Sequence, residues 1–159
     1  MNLEQFFSHD AVVPMKKLTD ITLTAETDGF ELDLTDGQWL EHSFVLMRYT
    51  PGPGAASAPS WIHFNNRDNT GRYVRLAVSS EAYEATSTDF LGINLGISFT
   101  VLFFIGRSGE HMLTGLAETG GWLYSCRNES YPLKWLTSMQ IGISNNVAEG
   151  SKLELYGIF

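Results

Sequence analysis

Cysteine, positive charge and long apolar runs are all scarce in this sequence of 159 residues. The single cysteine, Cys126, excludes an internal disulfide, so packing, metal binding or oligomerisation must stabilise the chain. Ten basic residues stand against 18 acidic ones, for a formal net charge of −8. Nucleic-acid-binding proteins present a basic face to phosphates, and anionic membranes attract cationic proteins. The charge balance therefore argues against both partners.

The most apolar segment, residues 90–105, is too short for a membrane helix. It has 16 residues and includes the polar Asn94, Ser98 and Thr100, whereas a membrane-spanning helix needs about 20 predominantly apolar residues. We expect it to form buried strands. Residues 1–10 contain no basic region followed by an apolar run, so we expect no secretory signal.

Polar and apolar residues alternate with a period of two along most of the chain. For example, Phe30, Leu32 and Leu34 alternate with Glu31 and Asp33. Turn-forming residues separate eight or nine such segments, which is typical of an all-β sandwich or barrel. The main candidate strands are residues 19–24, 30–34, 43–49, 72–78, 98–105, 122–126, 135–143 and 152–158. We predict an antiparallel two-sheet sandwich over residues 18–159, preceded by an N-terminal arm at residues 1–17.

The arm carries apolar residues that have no obvious place in the sandwich. These residues are Leu3, Phe6, Phe7, Val12 and Val13. Apolar anchors within a polar rim are the usual composition of a protein interface. We therefore expect the arm to pack on a neighbouring subunit.

The acidic residues are concentrated at the same end of the chain. The first 41 residues contain nine acidic and two basic residues, and the remaining 118 contain nine and eight. If the arm docks on a partner, we expect a basic patch there and binding that weakens as salt rises.

Exposed aromatic residues would suggest a platform for sugar rings. Trp61, Trp122 and Trp135 each stand at the start of a candidate strand, where we expect a core position. Trp39 follows the Asp36-Gly37 turn and is the best candidate for exposure. Residues 51–59 contain three prolines and two glycines, so we predict a projecting loop there. The candidate glycan contacts are Trp39, Asn66, Arg67 and Asp68.

Catalytic and metal-binding residues form no recognisable pattern. The histidines lack the short spacings of zinc ligands, and we expect them to be solvated or at sheet edges: His9, His42, His63 and His111. Glu31 and Asp33 share one face of a strand, and paired carboxylates can hydrolyse glycosides. The stretch faintly resembles the Glu-x-Asp-x-Glu strand of lichenase-type glycosidases, but Thr35 replaces the last Glu. We expect a solvated acidic strand face, no enzyme and no cofactor.

Two short segments match sequence patterns of a known family. Residues 62–73, Ile-His-Phe-Asn-Asn-Arg-Asp-Asn-Thr-Gly-Arg-Tyr, are similar to an "apolar-x-Phe-Asn-Gly-Asp-x-Gly-x-x-Tyr" hairpin, except that Asn66 replaces a glycine and Arg67 is added. Residues 150–158, Gly-Ser-Lys-Leu-Glu-Leu-Tyr-Gly-Ile, are similar to a closing strand, "Gly-Ser-x-apolar-x-Leu-Tyr-Gly-Ile". Both patterns occur in bacteriophage virion surface proteins with jelly-roll-like domains, which residues 43–158 therefore loosely resemble.

The resemblance implies a jelly-roll type of sandwich and a place in the virion. We expect a capsid decoration (cement) protein on the head surface, bound to the major capsid protein or other virion proteins as a homotrimer. Three alternatives stay open. They are a tail-tip or baseplate domain that binds a receptor or carbohydrate, a stand-alone carbohydrate-binding module of a cellular protein, and a glycosidase that uses Glu31.

Overall fold

The computed structural model describes residues 14–65, 73–77, 84–87, 91–105, 112–119, 122–142 and 146–159. Side chains are described in residues 14–65, 93–105, 115–118, 134–142 and 146–159. All regular secondary structure in this part of the chain is β-strand or 3-10 helix. The predicted all-β class is confirmed.

Each of the eight predicted segments overlaps a strand, but the structure describes twelve strands where eight or nine were expected. They are β1 (Met15–Thr22), β2 (Phe30–Asp33), β3 (Phe44–Thr50), β4 (Pro59–Phe64), β5 (Tyr73–Ala77), β6 (Glu84–Ser87), β7 (Leu91–Asn94), β8 (Phe99–Phe104), β9 (Met112–Thr119), β10 (Trp122–Pro132), β11 (Ser138–Ile141) and β12 (Lys152–Ile158). The described 3-10 helices are Gln38–Glu41 and Leu133–Trp135.

The strands form two antiparallel sheets. The larger sheet has the order β1-β12-β3-β8-β9-β10-β5-β6, and the smaller sheet has the order β2-β11-β4-β7. Four pairs of strands nest within one another along the chain: β1 with β12, β2 with β11, β3 with β8, and β4 with β7. The chain therefore runs as one long folded-over hairpin between the two sheets, and β9, β10, β5 and β6 extend the larger sheet beyond it.

The core lies between the two sheets. Phe30 of the smaller sheet packs edge-to-face on Tyr49 of the larger sheet, with ring centroids 6.2 Å apart. Phe64 packs in the same way on Phe103 at 6.3 Å. In β2, Phe30 and its apolar alternates are buried while the acidic residues between them are exposed, as predicted. These contacts confirm the two-sheet sandwich.

The sequence of β12 is set by close packing at both of its ends. Gly150, just before the strand, has a left-handed φ of 80°, which glycine adopts without steric cost. The buried Ser151 accepts a hydrogen bond at Oγ from the Gly52 N–H group at 2.9 Å. Gly157 lies against the ring of the buried His42, and a Cβ at this position would overlap that ring. Each of these three small residues therefore has a structural reason.

The sheet begins inside the segment assigned to the arm. Met15 pairs with Ile158 and Lys17 pairs with Tyr156, so the sheet starts at Met15 and not at residue 18. A register shift between Lys17 and Thr19 interrupts the alternation in β1, which explains why the pattern becomes regular only after the bulge. The apolar arm residues at positions 3, 6, 7, 12 and 13 lie outside the described residues.

The predicted hairpin at residues 62–73 is wrong. Strand β4 pairs with β11 and β7 in the smaller sheet, and β5 pairs with β10 and β6 in the larger one. The segment between them thus connects the two sheets. Turn-forming residues predict a change of direction, but they do not determine which strands pair afterwards.

The loop between β3 and β4 packs against the sandwich at several points, whereas a projecting loop was predicted. Gly52 is buried against the 149–151 segment, where a Cβ would overlap the Glu149 carbonyl oxygen. The space beside Gly96 is closed by Ala56 and Ser57. The loop therefore exposes its middle, around Gly54, and packs on both sides of it.

We predict that Gly157→Ala lowers the free energy of unfolding by about 1–3 kcal/mol, because the added methyl group overpacks the His42 ring. The loss should shrink when Gly157→Ala is introduced into a His42→Ala protein, where the ring is absent. Urea denaturation of the four proteins measures this coupling. An equal loss in both backgrounds would contradict the packing described here.

Candidate functional site

The outer face of the larger sheet is the side directed away from the core, and the structure describes its side chains across four neighbouring strands. Strand register aligns its side chains in rows that cross β1, β12, β3, β8 and β9. One row is Lys17, Tyr156, Leu46, Leu102 and Leu116, and the next is Asp20, Glu154, Arg48, Thr100 and Glu118. The face therefore divides into an apolar part and a charged part.

The apolar part is a cluster that we call the outer patch. Its members are Phe44, Leu46, Leu102, Phe104, Tyr156 and Ile158. The rings of Phe44 and Phe104 pack edge-to-face with centroids 5.5 Å apart. Leu46 and Ile158 are 1% and 3% exposed, although they lie on the side of the sheet remote from the core.

The charged part is a network of two lysines and two carboxylates, which we call the ionic row. Lys17 Nζ lies 2.6 Å from Asp20 and 3.3 Å from Glu154, and Lys152 Nζ lies 2.8 Å from Glu154 and 3.3 Å from Asp20. Opposite charges are equal in number in this network. The ionic row thus offers no net charge to attract a charged ligand.

Hydrogen bonds within the ionic row favour its ionised forms. The bond from Lys17 holds the pKa of Asp20 below its ordinary value, and the bond from Lys152 does the same for Glu154. Tyr156 also donates its hydroxyl hydrogen to Glu154 at 2.9 Å. Both carboxylates are therefore charged at neutral pH, which suits ion pairing and not proton transfer.

Tyr156 joins the ionic row to the outer patch. Lys17 Nζ lies 5.5 Å from the centroid of its ring, and the Arg48 guanidinium lies 5.8 Å from it. These are distances at which cations are attracted to aromatic rings. Two cationic side chains therefore contact the aromatic ring at the boundary between the outer patch and the ionic row.

Trp39 is buried, which contradicts its expected exposure. Its side chain is 7% exposed and belongs to the core between the sheets. The predicted turn does form, since Gly37 has a φ of 68° and Asp36 accepts the Gln38 N–H group. A 3-10 helix follows the turn, and its geometry directs Trp39 inward and Gln38 to solvent. Trp39 therefore does not form a glycan platform.

Trp135 takes the exposed position instead, although a core position was expected for it. It is 56% exposed at the end of a 3-10 helix. Asn65 fixes the local backbone, because its Nδ2 donates to the Trp135 carbonyl and its Oδ1 accepts the Thr137 N–H group at 2.8 Å. The candidate contacts at residues 66–68 directly follow Asn65 in the chain, but they lie outside the described residues.

The other tryptophans do not add to this surface. Trp61 is half-buried in the middle of β4, not at the start of the strand. Trp122 begins β10, and its side chain is not among those described. Among the tryptophans whose side chains are described, only Trp135 is exposed.

Two histidines are buried, contrary to the expectation of solvated side chains. His42 and His63 are 1% and 0% exposed. The His42 ring packs on Phe159 with centroids 4.5 Å apart, and its Nδ1 lies 3.2 Å from the Gln38 carbonyl oxygen. Within the described residues, no group of three His, Cys, Asp or Glu side chains could hold a metal ion. The contacts of His42 with Phe159 and Gly157 give this side chain a packing role.

Glu31 and Asp33 lie on one exposed strand face, as predicted. Asp33 accepts hydrogen bonds from the backbone and hydroxyl of Thr35 at 2.8 and 2.6 Å, and these bonds lower its pKa. Glu31 accepts a bond from Gln140 at 3.3 Å. Asp33 thus stabilises the turn that follows β2, and its lowered pKa does not suit a general acid.

We predict that Glu154→Gln lowers the free energy of unfolding by up to about 1 kcal/mol at neutral pH and low salt. The folded-state pKa of Glu154 is lowered, so its contribution is complete above the ordinary value of 4.5 and is lost as the pH falls through the lowered pKa. Denaturation at several pH and salt values should show the two proteins converging in acid and in high salt.

The matched control for this prediction is Glu149→Gln, at an exposed position outside the ionic row. It should leave stability nearly unchanged. A Glu154→Gln loss that persists in acid would mean that shape, and not charge, accounts for the role of Glu154.

No helix in the described part of the chain is long and apolar enough to cross a membrane. No model of a known protein family matches the chain, and no curated protein matches it.

Proposed function

We propose that this chain is a structural protein of a bacteriophage virion, most specifically a capsid decoration protein on the head surface. The observation that carries the proposal is the resemblance of residues 150–158 to the closing strand of virion surface proteins. Gly150, Ser151 and Gly157, which are fixed in that pattern, each have a packing or backbone role in β12. These roles support the proposal, because the residues that carry the resemblance also fit the structure of β12.

The nested strand pairs support the jelly-roll part of the proposal. A jelly roll folds eight strands into two sheets by wrapping one long hairpin. The pairs β1–β12, β2–β11, β3–β8 and β4–β7 follow this scheme, with two sheets of the orders β1-β12-β3-β8 and β2-β11-β4-β7. We interpret β5, β6, β9 and β10 as additions to that framework.

The ion-paired outer face also fits a protein that binds other proteins. The ionic row has no surplus charge for phosphates, and Asp20 and Glu154 are held ionised. Binding to the major capsid protein or other virion proteins and a homotrimeric state belong to the same proposal, and they come from the resemblance.

Quantitative mass spectrometry of purified virions tests this proposal. The virions are those of the phage whose genome encodes the chain. We predict on the order of hundreds of copies per particle, as expected for a protein that repeats over a symmetric shell. A few to some dozens of copies would assign it to the tail instead, and its absence from particles would contradict the proposal.

Carbohydrate binding is the second candidate function, and the exposure of Trp135 favours it. A flat aromatic ring that is 56% exposed offers a surface on which a sugar ring can stack. Such a site would fit a tail-associated domain that binds a receptor or carbohydrate. It would lie at the end of the sandwich formed by Asn65 and the Leu133–Trp135 helix.

We predict that Trp135→Ala weakens any glycan binding detected on a glycan array by about tenfold or more, as measured by calorimetry. Ile97→Ala is the matched control, because it removes another exposed apolar side chain beyond the other end of β4. Equal loss in both variants, or no glycan binding by the parent protein, would reject this second candidate.

A further inference from the structure

Trp61 stands between two glycines in the smaller sheet. It pairs with Gly92 of β7 on one side, and its carbonyl oxygen accepts a hydrogen bond at 3.4 Å from the Gly142 N–H group on the other. Ile62, the next residue of β4, lies in the core, and successive side chains of a strand point to opposite faces. The half-buried Trp61 side chain therefore points to the outer face of the smaller sheet.

Neither glycine places a side chain beside the indole ring. At Gly142 the fold requires this, because a Cβ would approach Cγ2 of the core residue Val147 at 2.7 Å. The direction that a side chain would take at position 142 thus leads into the core. Trp61 is consequently the side chain that this row of β7, β4 and β11 presents on the outer face.

The next row of the same face is polar. His63, Gln140 and Glu31 are aligned across β4, β11 and β2. Gln140 donates a hydrogen bond from Nε2 to Oε1 of Glu31 at 3.3 Å. His63 is fully buried, Gln140 is half-buried and Glu31 is exposed. The row is therefore open to solvent toward β2.

The spacing of the two rows brings the indole ring and the polar pair within reach of one small ligand. Residues two apart in a strand are separated by about 7 Å, so the Trp61 row and the Gln140–Glu31 row lie at about that distance. An amide and a carboxylate together offer donors and acceptors, and one carboxylate can accept about four hydrogen bonds. The bond from Gln140 uses one of these positions on Glu31.

The charge of the face selects among ligands. Glu31 and Asp33 both lie on it, and the residues aligned with them on β11 and β4 in the described part of the chain include no lysine or arginine. Like charges repel, so the face disfavours acidic sugars and other anions. Neutral hydroxyl groups meet no such penalty, since they donate to a carboxylate and accept from an amide.

We propose that the outer face of the smaller sheet binds a neutral saccharide, with a sugar ring stacked on the Trp61 indole and its hydroxyl groups bonded to Glu31 and Gln140. Stacking on a flat aromatic face and hydrogen bonding at its edge are the two contacts that such a ligand needs. This site is distinct from the exposed Trp135 at the end of the sandwich. It rests on carbohydrate binding, the second candidate function, and not on the virion assignment.

Nitrogen-15 NMR of the tryptophan side chains tests the proposal directly. The indole N–H resonances are assigned by single Trp→Phe substitutions, and cellohexaose, maltohexaose and mannohexaose are added in turn. We expect at least one of these neutral sugars to shift the Trp61 resonance to saturation and to leave that of the buried Trp39 unchanged. A shift confined to Trp135 would overturn the proposal and support the carbohydrate candidate. No shift at any tryptophan would reject both.

Matched variants separate stacking from simple packing. By calorimetry with the sugar that binds, Trp61→Leu should weaken binding about tenfold or more, whereas Trp61→Phe keeps an aromatic ring and should stay within about threefold. Equal affinities of these two proteins would overturn the proposal. Circular dichroism establishes that each variant folds, and the NMR titration of the unmodified chain stands if Trp61→Leu does not.

The hydrogen bonds of the site have a test of their own. Glu31→Ala should weaken binding about fivefold or more, because it removes the exposed carboxylate that accepts the sugar hydroxyl groups. Glu149→Ala is the matched control, since it removes an exposed carboxylate outside the smaller sheet, and it should leave the affinity unchanged. Equal effects of the two substitutions would contradict the assigned role of Glu31.

A cationic peptide is the competing occupant, because cations are also attracted to indole rings and carboxylates. Hexalysine is the probe for it at about 0.15 M salt, where exposed charges are largely screened. We expect hexalysine to leave the Trp61 resonance unchanged and the sugar affinity to be independent of salt. A Trp61 shift with hexalysine and none with the three hexasaccharides would overturn the proposal.

Discussion

The position of β12 between β1 and β3 is the constraint on which the described sandwich depends most. This strand pairs along its whole length on both sides, so the first and third strands of the chain are held by its last. At one end, Ser151 ties the strand to Gly52 in the loop after β3. At the other end, Gly157 leaves room for the ring of His42. A larger residue at position 157 would displace either the strand or the ring.

The two faces of the same sheet serve different purposes because β12 and β3 alternate strictly. Leu153 and Leu155 complete the core, while Glu154 and Tyr156 form the ionic row and part of the outer patch. Exposed ion pairs contribute little stability, and they keep that part of the face wet. The apolar outer patch lies beside the ionic row on the same face. The composition of one short strand therefore specifies a core face and an outer face that is charged in one part and apolar in the other.

Local patterns in the sequence predicted the strands well and their pairing less well. Alternation predicted strands at residues 152–158 and 30–34, and the structure has them at Lys152–Ile158 and Phe30–Asp33, because a strand with one buried face must alternate. The hairpin expected after Phe64 failed because turn residues act locally, whereas β4 and β5 belong to different sheets. Trp39 was expected to be exposed and Trp135 to be buried, and the structure shows the reverse for a related reason. Two short 3-10 helices, which carry little periodicity, decide which ring faces inward.

Native-state hydrogen exchange tests the central role of β12 most directly. Amides that pair β12 with β1 and β3 should exchange through global unfolding, with a free energy equal to that from denaturation, while amides of the edge strand β2 exchange by smaller openings. Such a ranking would support a sandwich closed by its last strand. Exchange of the β12 amides at a free energy well below the global value, with β2 more protected, would contradict it.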